Sequence, residues 1–375
     1  MFIFLKPFLF LNLLSLTPQK WQKIIESFKN MNKIIIFIGL IFLTAFFSCK
    51  SDFELNAEWK DITQIYGILN QSDSAHYLKI CKVFLGDQSA YVMAAEADSV
   101  NYAQAEVYLQ EYKNNVQTNN KFYFDTTTEI PKLPGTFSTQ KNILYKSKAV
   151  LDPTAKYKLH VYLPGKHVTA ETGLVNDFYI MKPTNSEYQQ ISFESSEIPY
   201  RTEWKSAVNG KIYEMTINFH YLEVEPASPN ALIKEDSILW VLPSMLATSV
   251  LGGETMRQEI GTDNFYRFIA SELQANPNVK RVAKKTTLDF ILTVGGEDLN
   301  TYIEVSKPSD GLVQDKPTFT NVENGIGIFS CRYSKSIKGK QLTIKSIDSL
   351  STGVFTKHLG FFSYSKTAEY WSLHP

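Results

Sequence analysis

The chain has 375 residues, of which 44% are hydrophobic and 20% are charged. This balance excludes a wholly disordered protein, and the length suffices for two domains. The 38 basic residues match 38 acidic ones. The chain therefore has no excess of positive charge to bind a phosphate backbone, and nucleic acid is excluded as a partner.

Residues 1–48 have the layout of a secretory signal region. Met31-Asn32-Lys33 forms a short basic start, Ile34–Phe47 is an unbroken apolar run, and Ser48 is small. A helix over that run would be about 21 Å long, short of the roughly 30 Å hydrocarbon core. We therefore expect a cleaved signal rather than a transmembrane anchor, with Met31 as the true start.

Cys49 follows this apolar run directly. Ala45-Phe46-Phe47-Ser48-Cys49 resembles the lipobox of bacterial lipoproteins, although two phenylalanines replace the usual leucine and small residue. The resemblance implies lipidation of Cys49, with residues 49–60 as a linker and the membrane as a partner through the lipid anchor. A chance cysteine after an ordinary signal peptide is the alternative. The expected location is the cell envelope, at the outer membrane, with the periplasmic or surface face left open.

Residues 61–175 are mostly β-strand in pattern. The runs 62–69, 75–85, 106–112 and 121–125 favour strands, and the polar run 114–120 favours a hairpin connection. Residues 87–97 predict a short helix or an ordered loop. The 25 phenylalanines and 20 tyrosines of the chain suit half-buried strands.

A more specific signal lies at Leu151, Pro153 and Tyr157. Tyr157, Leu159 and Val161 share one face, as in a strand buried on one side. Lys158, His160 and Tyr162 share the opposite, outward face. The spacing resembles the tyrosine corner of fibronectin type III domains, with Ala155 where that family usually has threonine. The resemblance implies an immunoglobulin-like sandwich over residues 61–175.

Residues 176–375 predict a second β-rich domain with one or two helices. Lys211–Glu223 alternates over its whole length. Thr262 is the expected cap of a helix that ends near Pro277, and Ser244 is a second expected helix cap. The remaining assignments are strands at 287–294, 300–305 and 341–347, and a turn at 338–340. The fold class is therefore mainly β, with a fibronectin-like sandwich first.

The chain also resembles a family of Bacteroidota envelope lipoproteins of unknown function. It shares their early Tyr-Gly-Ile-Leu-Asn strand at Tyr66–Asn70 and their late motif at Pro317–Phe329, with Asn321 and Asn324 in place. The resemblance implies an envelope lipoprotein with an outer-membrane transporter or another envelope protein as partner. It implies no catalytic residues.

Chemistry-bearing residues are dispersed along the sequence. His220 and Glu223 point to opposite faces of a strand, so they cannot share a metal ion locally. Cys81 and Cys331 lie far apart, and the sequence leaves open whether they pair. We predict no catalytic residue, no cofactor and no metal site.

Two hypotheses about function remain. The first is a non-catalytic envelope module that binds a ligand or assembles with a partner. The second is a secreted hydrolase whose acidic or histidine site has no recognisable sequence pattern. The anchor, the sandwich signature and the abundant aromatic residues favour the first.

The Cys49→Ala substitution tests the anchor. Loss of the thiol should abolish incorporation of labelled palmitate and release the body of the protein from membranes, because no acyl acceptor remains. Metabolic labelling and membrane fractionation measure both effects. Continued labelling of the variant would contradict the assignment.

Overall fold

The computed structural model describes residues 62–83, 92, 100–133, 135, 142–228, 231–307 and 318–374. The predicted lipidation site Cys49, the signal region and most of residues 87–97 lie outside these ranges. The described residues all belong to one compact unit, 59–375. In that described part, no helix is both long and apolar enough to cross a membrane.

The chain is mainly β, as predicted. Its strands are β1 (Ile62–Leu69), β2 (His76–Val83), β3 (Glu106–Lys113), β4 (Val116–Thr127), β5 (Leu144–Ser147), β6 (Lys156–Leu163), β7 (Lys166–Gly173), β8 (Ile180–Lys182), β9 (Gln190–Ile191), β10 (Tyr200–Lys205), β11 (Ile212–Val224), β12 (Leu232–Val241), β13 (Met245–Leu246), β14 (Thr255–Ile260), β15 (Lys280–Gly295), β16 (Val322–Glu323) and β17 (Ile326–Leu342). The helices are α1 (Thr262–Glu272), α2 (Glu297–Ser306), α3 (Ile344–Thr352) and α4 (Tyr364–Leu373), with a 3-10 turn at Lys357–Leu359.

The first seven strands form two paired series, which together correspond to the sandwich expected for residues 61–175. Strands β1, β2 and β5 pair in that order, and β4, β3, β6 and β7 pair in a second series. Lettered A to G along the chain, the series contain the A-B-E and C-F-G groupings of the immunoglobulin fold. Strand β4 pairs with β5 as well as with β3, so the two series are joined into one continuous sheet. The inward residues of both series join one hydrophobic core, as alternating strands require.

Tyr157 forms the predicted corner. Its side chain is 0% exposed, and its hydroxyl accepts a hydrogen bond from the backbone N–H of Asp152 at 2.6 Å. The same hydroxyl lies 3.2 Å from the carbonyl oxygen of Asp152, to which it can donate. The tyrosine therefore fixes the loop that leads into β6.

Strand β17 joins the sandwich to the rest of the chain. Residues 326–331 pair in parallel with β1, and residues 332–340 pair antiparallel with β15. Strand β15 continues the sheet to β11 and then to the edge strand β12. Helix α1 packs on this second part, where Phe265 stacks on Phe193 at 4.0 Å between ring centroids.

The predicted boundary between residues 175 and 176 does not separate two sheets. Strand β1 pairs with β17, and β7 pairs with β16, so both edges of the sandwich are covered by residues from the C-terminal half. One hydrophobic cluster also runs through both halves. An exposed strand edge would otherwise offer unpaired N–H and C=O groups.

Two predicted strands are helices. Residues 300–305 lie in α2, where Gly296 precedes the helix and Glu297 and Asp298 occupy the first turn, which suits the helix dipole. Residues 344–347 begin α3, which Thr343 caps by accepting a hydrogen bond from the N–H of Ser346. Short apolar runs fit either a strand or a helix by periodicity, and the caps decide here.

Four local predictions also need correction. Gly261, not Thr262, caps α1, and Ser244 precedes the short strand β13 instead of a helix. The predicted turn at 338–340 is a bulge inside β17, opposite Asp289. The hairpin between β3 and β4 turns on Asn114 and Asn115 alone, because both adopt positive φ, as a two-residue type I′ turn demands.

Cys81 and Cys331 are both free thiols. Their strands lie on either side of β1, where Cys81 is opposite Gln64 and Cys331 is opposite Leu69. Five residues of strand span about 17 Å, far beyond the reach of a disulfide.

Replacing Tyr157 with phenylalanine should lower the free energy of unfolding by about 1 to 2 kcal/mol. The change removes one hydroxyl and leaves the part-buried N–H of Asp152 without its acceptor. Urea denaturation measures the loss, and Tyr179→Phe, at an exposed tyrosine, is the control. Equal midpoints for the two variants would contradict the structural role of the corner.

Candidate functional site

The outward face of strands β3, β4, β6 and β7 carries a row of rings. In β6, Leu159 and Val161 point into the core, so His160 and Tyr162 point outward, as the alternation predicts. The neighbouring strands add further rings. We call the five side chains the aromatic ladder: Tyr123 on β4, Tyr108 on β3, His160 and Tyr162 on β6, and His167 on β7.

The ladder rings lie side by side and nearly parallel. Tyr108 and His160 are 4.9 Å apart between centroids with an 18° angle, and Tyr162 and His167 are 4.1 Å apart with a 4° angle. Tyr123 contacts Tyr108 at 5.4 Å, and is more tilted. Cross-strand aromatic pairs of this kind stabilise a sheet. Tyr123 and Tyr162 are also exposed to solvent, at 54% and 41%, whereas Tyr108 between them is buried.

The two histidines of the ladder share a hydrogen bond. Nδ1 of His160 lies 3.1 Å from Nε2 of His167, so one ring donates and the other accepts. Partial burial lowers the pKa of His160 below its ordinary value, and the nearby His167 adds to this. The neutral form of His160 is therefore favoured, and it retains a nitrogen lone pair.

The turn between β6 and β7 sets the register of this pair. Pro164 and Gly165 form a two-residue connection, and Gly165 has a φ of 71°. Proline followed by a residue of positive φ is the pattern of a type II turn. This turn places Tyr162 directly opposite His167, and it brings His160 diagonally next to the same ring.

A cavity of about 1140 Å³ adjoins the ladder. Tyr162 belongs to both, and Glu106, opposite Tyr162 on β3, lines the cavity too. The walls combine aromatic rings and neutral polar groups with one carboxylate, that of Glu106. The lining residues are Tyr102, Ala103, Gln104, Ala105, Glu106, Thr126, Thr127, Thr128, Ile143, Tyr145, Tyr162, Leu163 and Pro164. Clefts of roughly this size that mix aromatic and polar groups are the usual form of small-molecule sites.

The residues singled out in the sequence do not meet at one site. Cys49 lies outside the described residues. His220 contacts Asp289 at 3.1 Å, whereas Glu223 pairs with Arg281 at 2.9 Å. Among the described residues, no three His, Cys, Asp or Glu side chains are grouped to hold a metal ion, and the absence of a metal site stays a prediction.

The two motifs of the lipoprotein resemblance lie next to each other. In the parallel pairing of β1 with β17, Tyr66 is opposite Ile328 and Gly67 is opposite Phe329. Asn321 holds Phe329 through both backbone groups, with its Nδ2 donating to the carbonyl at 2.7 Å and its Oδ1 accepting from the N–H at 3.0 Å. Both motifs therefore build the junction between the sandwich and β17.

Neither a protein-family model nor a curated protein matches the chain.

Sequence reasoning found His160 and Tyr162 on an outward face but missed their neighbours. Tyr108 and Tyr123 sit in predicted strands, yet their pairing depends on a two-residue turn that was predicted as a seven-residue connection. The Pro164-Gly165 pair was the available signal for His167, because it fixes the register of a hairpin.

The pKa of His160 should show in a pH titration of the folded protein. Because the pKa of His160 is lower in the folded state, the unfolded state binds the proton more readily. The stability that neutral His160 contributes is therefore fully present above about pH 6.5, its ordinary pKa. This stability declines as pH falls through the folded-state pKa. We expect the ring proton signals of His160 in NMR to titrate below pH 6.5.

The His167→Ala variant serves as the control for this titration. It removes the ring of His167, and with it part of the burial and the nearby charge that lower the pKa of His160. The pKa of His160 should therefore rise toward its ordinary value. A wild-type His160 that titrates at or above pH 6.5 would contradict the lowered pKa of His160.

Proposed function

We propose that the chain is a lipid-anchored lipoprotein of the cell envelope that binds a ligand without transforming it. Cys49 supplies the anchor at the outer membrane in this proposal. The body supplies the binding site, formed by the aromatic ladder and its adjoining cavity. The sequence resemblance to envelope lipoproteins supports the location, and the geometry of the ladder supports the binding role.

One observation carries the binding role: the ladder and the cavity meet at Tyr162. This tyrosine is 41% exposed, and Tyr123 at the other end of the ladder is 54% exposed. Aromatic pairs that only stabilise a sheet contribute roughly 0.2–1 kcal/mol each, and they need no cavity beside them. A ligand in the cavity would contact the edge of the ladder directly.

The lining has one carboxylate, Glu106, and no basic residue, so it disfavours an anion and suits a ligand that is polar and has a flat apolar side. Three tyrosines, Tyr102, Tyr145 and Tyr162, provide aromatic surface. Three consecutive threonines at 126–128 provide hydroxyls that both donate and accept hydrogen bonds. Sugar rings have this combination of hydroxyl edges and C–H faces. We therefore assign a neutral oligosaccharide as the ligand class.

The proposed partner is another envelope protein, in particular an outer-membrane transporter that would receive the bound ligand. A lipid anchor confines both proteins to one membrane, which raises their effective concentration. This part of the proposal rests on the resemblance described above.

Saccharide binding by the full-length chain in detergent tests the proposal. We expect isothermal titration calorimetry with maltohexaose or cellohexaose to detect binding to the wild type. Tyr162→Ala should weaken that binding about tenfold, or roughly 1.4 kcal/mol, because the residue joins cavity and ladder. Tyr179→Ala removes a tyrosine that is also exposed but lies on neither surface, and it should bind as the wild type does.

Two results would count against the proposal. Equal affinity in both tyrosine variants, or no heat from either saccharide, would remove the ladder as a binding site. Release of new reducing ends during the titration would favour the hydrolase hypothesis over non-catalytic binding.

A further inference from the structure

A second cavity lies on the C-terminal part of the chain, between residues 185–190 and the strands β15 and β17. Its volume is about 760 Å³, and it shares no residue with the ladder cavity. Most of its lining residues are polar, and its charged residues are three lysines and one glutamate. The lining residues are Asn185, Glu187, Tyr188, Gln190, Lys285, Thr286, Lys338, Gly339, Lys340 and Gln341.

Lys340 is an unusual part of this wall because it is buried. The residue is only 2% exposed, whereas lysine almost never occurs buried without a partner of opposite charge. Its Nζ donates one hydrogen bond, to the carbonyl oxygen of Ser186 at 2.6 Å. An ammonium group has three N–H donors. Among the ion pairs of the described residues, none includes Lys340.

The carboxylate of Asp289, opposite the bulge, forms its contacts with other groups. Asp289 faces the bulge that carries Gly339, and its Oδ1 accepts a hydrogen bond from that backbone N–H at 2.7 Å. Its Oδ2 contacts His220 at 3.1 Å. The aspartate therefore holds the bulge in shape, and the charge of Lys340 is not neutralised by it.

The remaining charges of the cavity are also positive on balance. Lys285 and Lys338 are exposed at its rim, and Glu187 is the one acidic residue in the lining. Burial lowers the pKa of Lys340, and the charge of Glu187 opposes that effect. A buried ammonium flanked by two more lysines favours a negatively charged occupant.

We propose that this cavity binds an oxyanion, the phosphate or carboxylate group of a small ligand, with Lys340 as its buried cation. Lys285 and Lys338 would contact the same group from the rim. Gln190 and Gln341, which lie 3.5 Å apart through their side-chain amides, would provide neutral donors beside it. This cavity shares no residue with the ladder cavity. It would bind an anionic ligand, whereas the ladder cavity would bind a neutral oligosaccharide.

Calorimetric titration of the full-length chain with inorganic phosphate tests the site. Ionic strength is kept constant with sodium chloride, so that general screening does not contribute. We expect saturable binding to the wild type, and at least a tenfold weaker affinity in Lys340→Met. The double variant Lys285→Gln/Lys338→Gln should also weaken binding at least tenfold. Lys357→Gln, at an exposed lysine outside the cavity, should leave the affinity within twofold of the wild type.

A competition with acetate separates the two anion classes. Displacement of phosphate by acetate would assign the site to oxyanions in general, and failure to displace it would assign the site to phosphate; either result supports the proposal. The double variant decides the test if Lys340→Met does not fold, because its two residues are exposed. Absence of saturable phosphate binding in the wild type, or wild-type affinity in the double variant, would overturn the proposal.

Discussion

The parallel pairing of β1 with β17 is the contact on which the two halves of the molecule depend. Gly327 permits this contact: its φ is 113°, and a side chain there would collide with the carbonyl oxygen of Ile65. Gly67 on β1 is likewise crowded by Leu78 and Phe329. Because β17 continues into the pairing with β15, the same strand carries the core of the sandwich into the larger sheet. This pairing also covers the β1 edge of the sandwich, where unpaired backbone groups could otherwise associate with another chain.

The aromatic ladder is a product of hairpin register. Asn114-Asn115 and Pro164-Gly165 are both two-residue turns, and each fixes which side chains face one another across its strands. A one-residue slip would move the rings to the core face. The ladder is thus rigidly positioned although it lies at the surface, which suits a binding site because little conformational entropy is lost when a ligand associates.

The bulge in β17 has a comparable effect at the other cavity. It places two residues, Lys338 and Gly339, opposite Asp289, and it turns the lysines on either side of Gly339 toward one cavity. Asp289 stabilises the bulge through the backbone, so the lysine charges are left for another partner. The two cavities therefore differ in chemistry: the ladder cavity has hydroxyls, rings and a single carboxylate, and the other has three ammonium groups and a single carboxylate.

The mainly β character, the outward direction of His160 and Tyr162, and the corner at Tyr157 each follow from a local alternation or spacing in the sequence. Periodicity alone predicts strands where α2 and α3 form, since short apolar runs fit both periods and the deciding caps involve Gly296 and Thr343. The place of Tyr108, Tyr123 and His167 in the ladder and the burial of Lys340 follow from the tertiary fold. These facts depend on strand register and on contacts between residues as far apart as Ser186 and Lys340, which no local pattern encodes.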